Sequence, residues 1–136
     1  MTASSISYGA LIRSLLMANE EISSVVTGVY PVVRSEASLP YIAYERSGFS
    51  QDGIKVRETG NDSITLILNI YSADYTEGVE IAEAAREVLD HASYTEDEDT
   101  GLVLTRSTLI DASEGYAADA FVQQLTFTIG ISYGNT

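Results

Sequence analysis

Ser63-Ile64-Thr65-Leu66-Ile67-Leu68-Asn69-Ile70-Tyr71 is the stretch on which the fold turns. Ile64, Leu66, Leu68 and Ile70 alternate, and in an extended chain alternate side chains share one face. Thr65, Ile67, Asn69 and Tyr71 take the other face. The stretch therefore predicts a strand with one strongly apolar side. Just downstream the period changes. Asp74 followed by Glu77 is a helix start signal, and Val79, Ala82, Ala85, Val88, Leu89 and Ala92 recur at helical spacing. A helix is predicted to about Ala92, with Ala82 and Ala85 small enough to let it lie close on a sheet. Glu80, Glu83 and Glu87 face water, and Glu83 is within pairing distance of Arg86 along the helix.

Upstream, Tyr8, Leu11, Ile12, Leu15 and Leu16 form one stripe and predict a helix over 5–18. Asn19 caps a short helix from Glu20 to Thr27, whose apolar residues are Ile22, Val25 and Val26, and Gly28 ends it. Val29 to Pro31 is a short extended piece. Pro40 opens a strand from Tyr41 to Ser47, because a first residue need not donate to the ladder. Gly48 to Asp62 is polar and reads as a long hairpin connection. Further on, 93–100 is an acidic loop, Leu102 to Ile110 a third strand, Asp111 to Asp119 a turn region and Ala120 to Tyr133 a fourth strand. Phe121, Leu125, Phe127, Ile129, Ile131 and Tyr133 share a face of that last strand, which Gln123 interrupts.

The order α-(α)-β-β-α-β-β makes this an α+β chain. Adjacent strand pairs read as hairpins, giving an antiparallel four-stranded sheet. With helices packed on one face, the expected architecture is a two-layer sandwich and a single domain over 1–136. Ile67, Tyr71, Val103, Leu109 and Val122 fall on the second face, which is apolar enough either to meet a partner or to be covered by loops.

Composition narrows function. The 136 residues hold 20 acids, seven bases and no cysteine, for a net charge of −13. Proteins that grip polyanions do so with Lys and Arg, so neither nucleic acid nor an anionic membrane is an expected partner. Net acidity by itself reads as solubility. The first residues lack the basic start and apolar stretch of a signal peptide, and no apolar run approaches the ~20 residues that span a bilayer. Without cysteine there is neither a disulfide nor a thiolate metal site.

The search for chemistry yields no catalytic residue, no cofactor and no metal. His91 is the one histidine, and at a helix end it complements the dipole. Gly48-Phe49-Ser50-Gln51-Asp52-Gly53 is one residue too long for a nucleophile elbow, and no glycine-rich phosphate loop exists. Glu96-Asp97-Glu98-Asp99 offers oxygens to a cation. With Gly101 as the turn glycine of a calcium loop, however, the bidentate acid would fall at Ser107, so a solvated loop is the expected reading. Nine tyrosines stand out. Tyrosine favours interfaces and also favours strands.

Two local patterns, Gly28-Val29-Tyr30-Pro31 and Pro40-Tyr41-Ile42, lie between a helix pair and a hydrophobic strand. A helix from Tyr75 to Ala92 and two closing strands through Phe127-Thr128-Ile129 follow. Over essentially its whole length this succession resembles the tail-completion or tail-terminator proteins of long-tailed phages and prophages. The resemblance implies a structural protein, not an enzyme. It implies a ring, commonly hexameric, at the head-proximal end of the tail tube, which stops tube polymerisation and forms the head–tail joining surface. The implied partners are further copies of the chain, the tail tube protein and a head-completion protein. DNA passes through the lumen without being gripped, and an acidic lumen would repel its phosphates. The implied location is the virion tail, after assembly in the host cytoplasm. Alternatives are a head–tail connector or minor tail protein and, from another class, a small dimeric binding or regulatory domain.

Within that reading the candidate contacts between subunits or with partners are Lys55 and Arg57, with Glu96, Asp97, Glu98 and Asp99 as their acidic counterpart, together with Tyr71 and Tyr116.

Overall fold

The computed structural model describes residues 4–32, 38–51, 60–90, 92, 95–117 and 119–133. A 3-10 turn at Ser5–Ser7 leads into helix α1 (Gly9–Met17), a one-turn helix α2 (Glu20–Ser23) and strand β1 (Val29–Pro31). Strands β2 (Tyr41–Gln51) and β3 (Gly60–Ser72) precede helix α3 (Tyr75–Leu89). Strands β4 (Thr95–Glu96), β5 (Val103–Ala117) and β6 (Ala120–Tyr133) close the chain.

The alternation in β3 behaves as read: Ile64, Leu66, Leu68 and Ile70 are at most 1% exposed. β3 pairs antiparallel with β2 on one side (Ile42 beside Ile70, Tyr44 beside Leu68). On the other side it pairs antiparallel with β6, from Gly60 beside Tyr133 to Ser72 beside Phe121. Residues paired this way project to the same face, so Leu125, Phe127, Ile129 and Ile131 continue the apolar surface. Leu11, Ile12, Leu16, Ile22, Ile81 and Leu89 from the helices pack against it in one core. Both predicted caps form. Asn19 Oδ1 accepts from the Ile22 N–H at 3.1 Å and Asp74 Oδ2 from the Glu77 N–H at 2.9 Å. Gly78 lets α3 approach, since a Cβ there would stand 2.5 Å from Ser72 Oγ. The Ser5 hydroxyl donates to Asp62 Oδ2 at 2.6 Å and ties the N-terminal turn to β3.

The α+β class stands, but the four-stranded antiparallel sheet does not. The sheet has six strands in the order β1-β2-β3-β6-β5-β4, and it is mixed, because β1 runs parallel to β2 with Val29 beside Ile42. β4 pairs with β5 where a loop was expected, Thr95 beside Leu104. Strands of two or three residues show no alternation and are made by backbone pairing alone, which side-chain patterns do not report. The sheet curls into a half-barrel in place of a flat sandwich layer. Register shifts at Arg46/Gly48, Leu104/Arg106 and Leu109/Asp111 mark the β-bulges that bend it. Curling encloses part of the second face: Tyr41, Ala43 and Asn69 are buried although they alternate away from the helices.

Several boundaries move for related reasons. β2 runs on to Gln51, β3 starts at Gly60, and β5 continues to Ala117 through the expected turn region, leaving Asp119 at φ 63° in a tight connection. These extensions are polar, so their alternation is silent. The predicted helix 5–18 divides into the 3-10 turn and α1, α2 stops at Ser23, and α3 stops at Leu89. Ile81 and Ala84 of α3 are buried, while Val79 and Val88 are half-buried, and Val25 is 39% exposed. The bulge after Leu104 turns Leu109 from the second face to the core, beside Phe127. Arg86 pairs with Asp90, at 3.6 Å, not with Glu83.

Two outcomes follow from this packing. Phe127, fully buried at the centre of the core, leaves a cavity when truncated, so Phe127→Ala is expected to lower unfolding free energy by about 3–5 kcal/mol in denaturant titrations. Tyr8 packs edge-on against Tyr44, and burial, with the neighbouring Tyr44 phenol adding to it, pushes its phenol up to about 12. Burial also raises Tyr41, Tyr44 and Tyr71. A raised acid keeps its proton in the folded state, so this stabilisation is complete below pH ~10, where unfolded tyrosine titrates, and is lost as pH rises toward 12. The melting temperature should fall across pH 10–12, and by less in Tyr8→Phe.

Candidate assembly surfaces

Tyr30, Tyr41 and Tyr71 lie on the second face of adjacent strands β1, β2 and β3. Tyr41 stacks on Tyr71 with ring centroids 4.9 Å apart, and Tyr30 meets Tyr41 edge-on at 5.9 Å. Beyond Tyr71 the curled sheet forms an open concavity of ≈ 430 Å³, lined among others by Glu45, Asn69, Tyr71, Tyr116, Val122 and Gln124. The buried Asn69 organises its floor. It accepts from the Gln124 amide at 2.9 Å and donates to Glu45 Oε1 at 3.4 Å. A buried amide satisfied on both sides holds three strands in one register.

On the helix side of the same sheet end, which forms a rim, Tyr75 at the start of α3 and Tyr116 on β5 each meet Phe121 of β6 edge-on, at 5.8 and 5.1 Å. Glu114 Oε1 accepts from the Tyr75 hydroxyl at 2.7 Å and from Gln123 Nε2 at 3.0 Å. These bonds, that from Gln123 first, hold the Glu114 carboxyl below its ordinary range, and the bond to Glu114 raises Tyr75. Tyr116 is 63% exposed, so the rim ends in an open aromatic surface joined to a fixed negative charge.

Of the residues singled out from sequence, Tyr71 and Tyr116 come together at this concavity. Glu96 to Asp99 do not. Glu96 sits beside Val103, which pairs with Ser132, at the opposite end of the sheet. Asp97 is also no free charge. It is buried and caps its own turn, accepting from the Thr100 N–H at 3.0 Å and the Thr100 hydroxyl at 2.6 Å. The turn closes through Gly101, at φ 76°, where a side chain would be strained. Glu96, Glu98 and Asp99 remain exposed. Lys55, Arg57 and His91 lie outside the described residues. Among the described residues no group of three His, Cys, Asp or Glu could hold a metal, and no helix is long and apolar enough to cross a membrane. Sequence reading missed two groupings that only strand register makes, Glu45 with Gln124 on the second face and Glu114 with Phe121 on the helix face beside Tyr75.

This curled mixed sheet with small helices has a solved counterpart. A chain of the structure titled "Virion of native gene transfer agent (GTA) particle" superposes with a TM-score of 0.72 at 14% identity, covering 99% of this chain and 100% of that one. At that identity the likeness is one of fold. No curated protein matches the sequence significantly. The family described as "Tail completion protein gp17" matches residues 10–132, and the chain belongs to that family. It is thus a structural protein of the phage tail.

The acidic turn can be probed directly. Removing both acceptor bonds in Asp97→Ala is expected to cost about 1–3 kcal/mol. Glu98→Ala and Asp99→Ala should stay within about 0.5 kcal/mol of the parent in the same denaturation assay.

Proposed function

We propose that this chain caps the head-proximal end of the tail tube, stops tube polymerisation and forms the surface on which head and tail join. It would do so as a ring of copies, commonly six in proteins of this kind, touching the tail tube protein on one side and a head-completion protein on the other. The role is mechanical, not catalytic. The observation that supports it best is the family match over residues 10–132.

The physical features agree with the reading. A tyrosine-rich concavity and an exposed aromatic rim offer large contact area at small entropic cost. The net charge of −13 per chain suits a channel through which DNA slides, because phosphates find few cations to hold them. Like charges in a ring repel, so contacts between copies need apolar or locally complementary groups. Assembly would take place in the host cytoplasm, and the finished protein would reside in the virion tail.

The test is electron microscopy of purified tail tube protein polymerised with and without this chain. Capping predicts tubes whose growth halts and whose ends carry extra density. Tubes of unchanged length with bare ends would overturn the reading.

A further inference from the structure

On the helix side, the two lateral flanks of the sheet are unlike. Beside β1 and β2, Ile6, Tyr8, Pro31, Val32, Tyr44 and Arg46 line an open concavity of ≈ 440 Å³. Ile6 is 57% and Val32 60% exposed, so its wall is apolar and open. Arg46 pairs with Leu66, whose side chain enters the core, and therefore stands on the helix face. It donates to the Ile6 carbonyl at 3.3 Å and lies over the Tyr8 ring. Burial raises the Tyr44 phenol, and the nearby charge of Arg13 offsets part of that rise, so a second cation borders the same flank. Both arginines are exposed. Glu45 also borders the concavity, but its carboxylate turns to Asn69 on the second face.

The opposite flank is aromatic and acidic. Glu114 and Tyr116 of β5 pair with Gln123 and Phe121 and so share the helix face, while Asp111 alternates to the other. Tyr116 projects from this flank, 63% exposed. Glu114 takes its bonds from Tyr75 and Gln123 on Oε1, and among the described residues no donor is placed on Oε2. The remaining described bases are committed elsewhere: Arg86 pairs with Asp90, and Arg106 donates to Ser63. Within one copy β3 and β6 stand between the two flanks, so they meet only between copies. Their levels are near. Glu114 is in line with Ile70 and Arg46 with Leu66, roughly 13 Å apart along β3. Between neighbours in a closed ring, such an offset is a tilt of the strands against the axis.

We propose that Tyr116 of one copy seats in the concavity beside β1 and β2 of the next, with Glu114 meeting its Arg46. Each copy offers one flank and receives the other. That is a heterologous contact, and it produces a ring when the rotation per copy closes. An aromatic anchor in a pocket, with an arginine beside it, is the form that interface hot spots take. This deepens the ring reading and rests on it.

The test places the photoreactive residue p-benzoylphenylalanine at position 116, which keeps the aromatic bulk of Tyr116. These chains are assembled on tube protein, irradiated and digested for mass spectrometry. Mixing isotope-labelled with unlabelled chains separates links between copies from links within one. The expected result is links between copies from position 116 to Ile6, Pro31 or Val32. Arg46→Glu alone and Glu114→Arg alone should each lose those links, and the two together in one chain should restore them. Capped tubes in which position 116 links elsewhere, or to nothing, would overturn the contact and leave the ring standing. Links that survive both single reversals, or that the double reversal does not restore, would overturn the charge pair. Uncapped tubes with no oligomer would overturn contact and ring together.

Discussion

β3 is hydrogen-bonded on both sides along most of its length and buries one complete face. The rest of the structure takes its position from that double pairing. Ile64, Leu66, Leu68 and Ile70 define a plane onto which α1 and α3 must pack, because nothing else can remove those side chains from water. The same strand places Asn69 and Tyr71 on the opposite face. Core and candidate contact surface are thus two sides of one alternation, and a slip of one residue would exchange them.

The curl of the sheet converts that second face from a plane into a concavity. Bulges in β2 and β5 bend the outer strands around the β3–β6 pair, and the Glu45–Asn69–Gln124 network locks three strands across the bend. Tyrosines then stand on a rigid floor. A rigid aromatic surface loses little freedom when a partner arrives, which suits a component used in fixed-geometry assembly.

The chemistry available is that of contact. Carboxylates dominate the charge, the one acid drawn inward at the Thr95–Gly101 turn serves the turn itself, and Glu114 is held charged by a phenol and an amide at the rim. A member of the tail completion protein gp17 family needs surfaces that fit several neighbours. Among the described residues, the aromatic rim and the exposed stretch of β5 from Ile110 to Ala117, paired with β6 on one side, are two places that offer such surfaces.

Sequence by itself determined the α+β class, the four long strands, the three helices and the caps of two of them, and the core of β3 and β6. Each of those is written in a local period: two for strands, near four for helices, and a polar residue where a helix starts. It also carried enough of the family's succession of elements to suggest a tail protein. Only the tertiary structure decided that β1 and β4 join the sheet, that β5 runs on to Ala117, that Leu109 turns inward, and that Tyr71 and Tyr116 share a concavity. Those features depend on backbone pairing between segments far apart in the chain and on bulges that shift register. Neither leaves a periodic trace in the side chains.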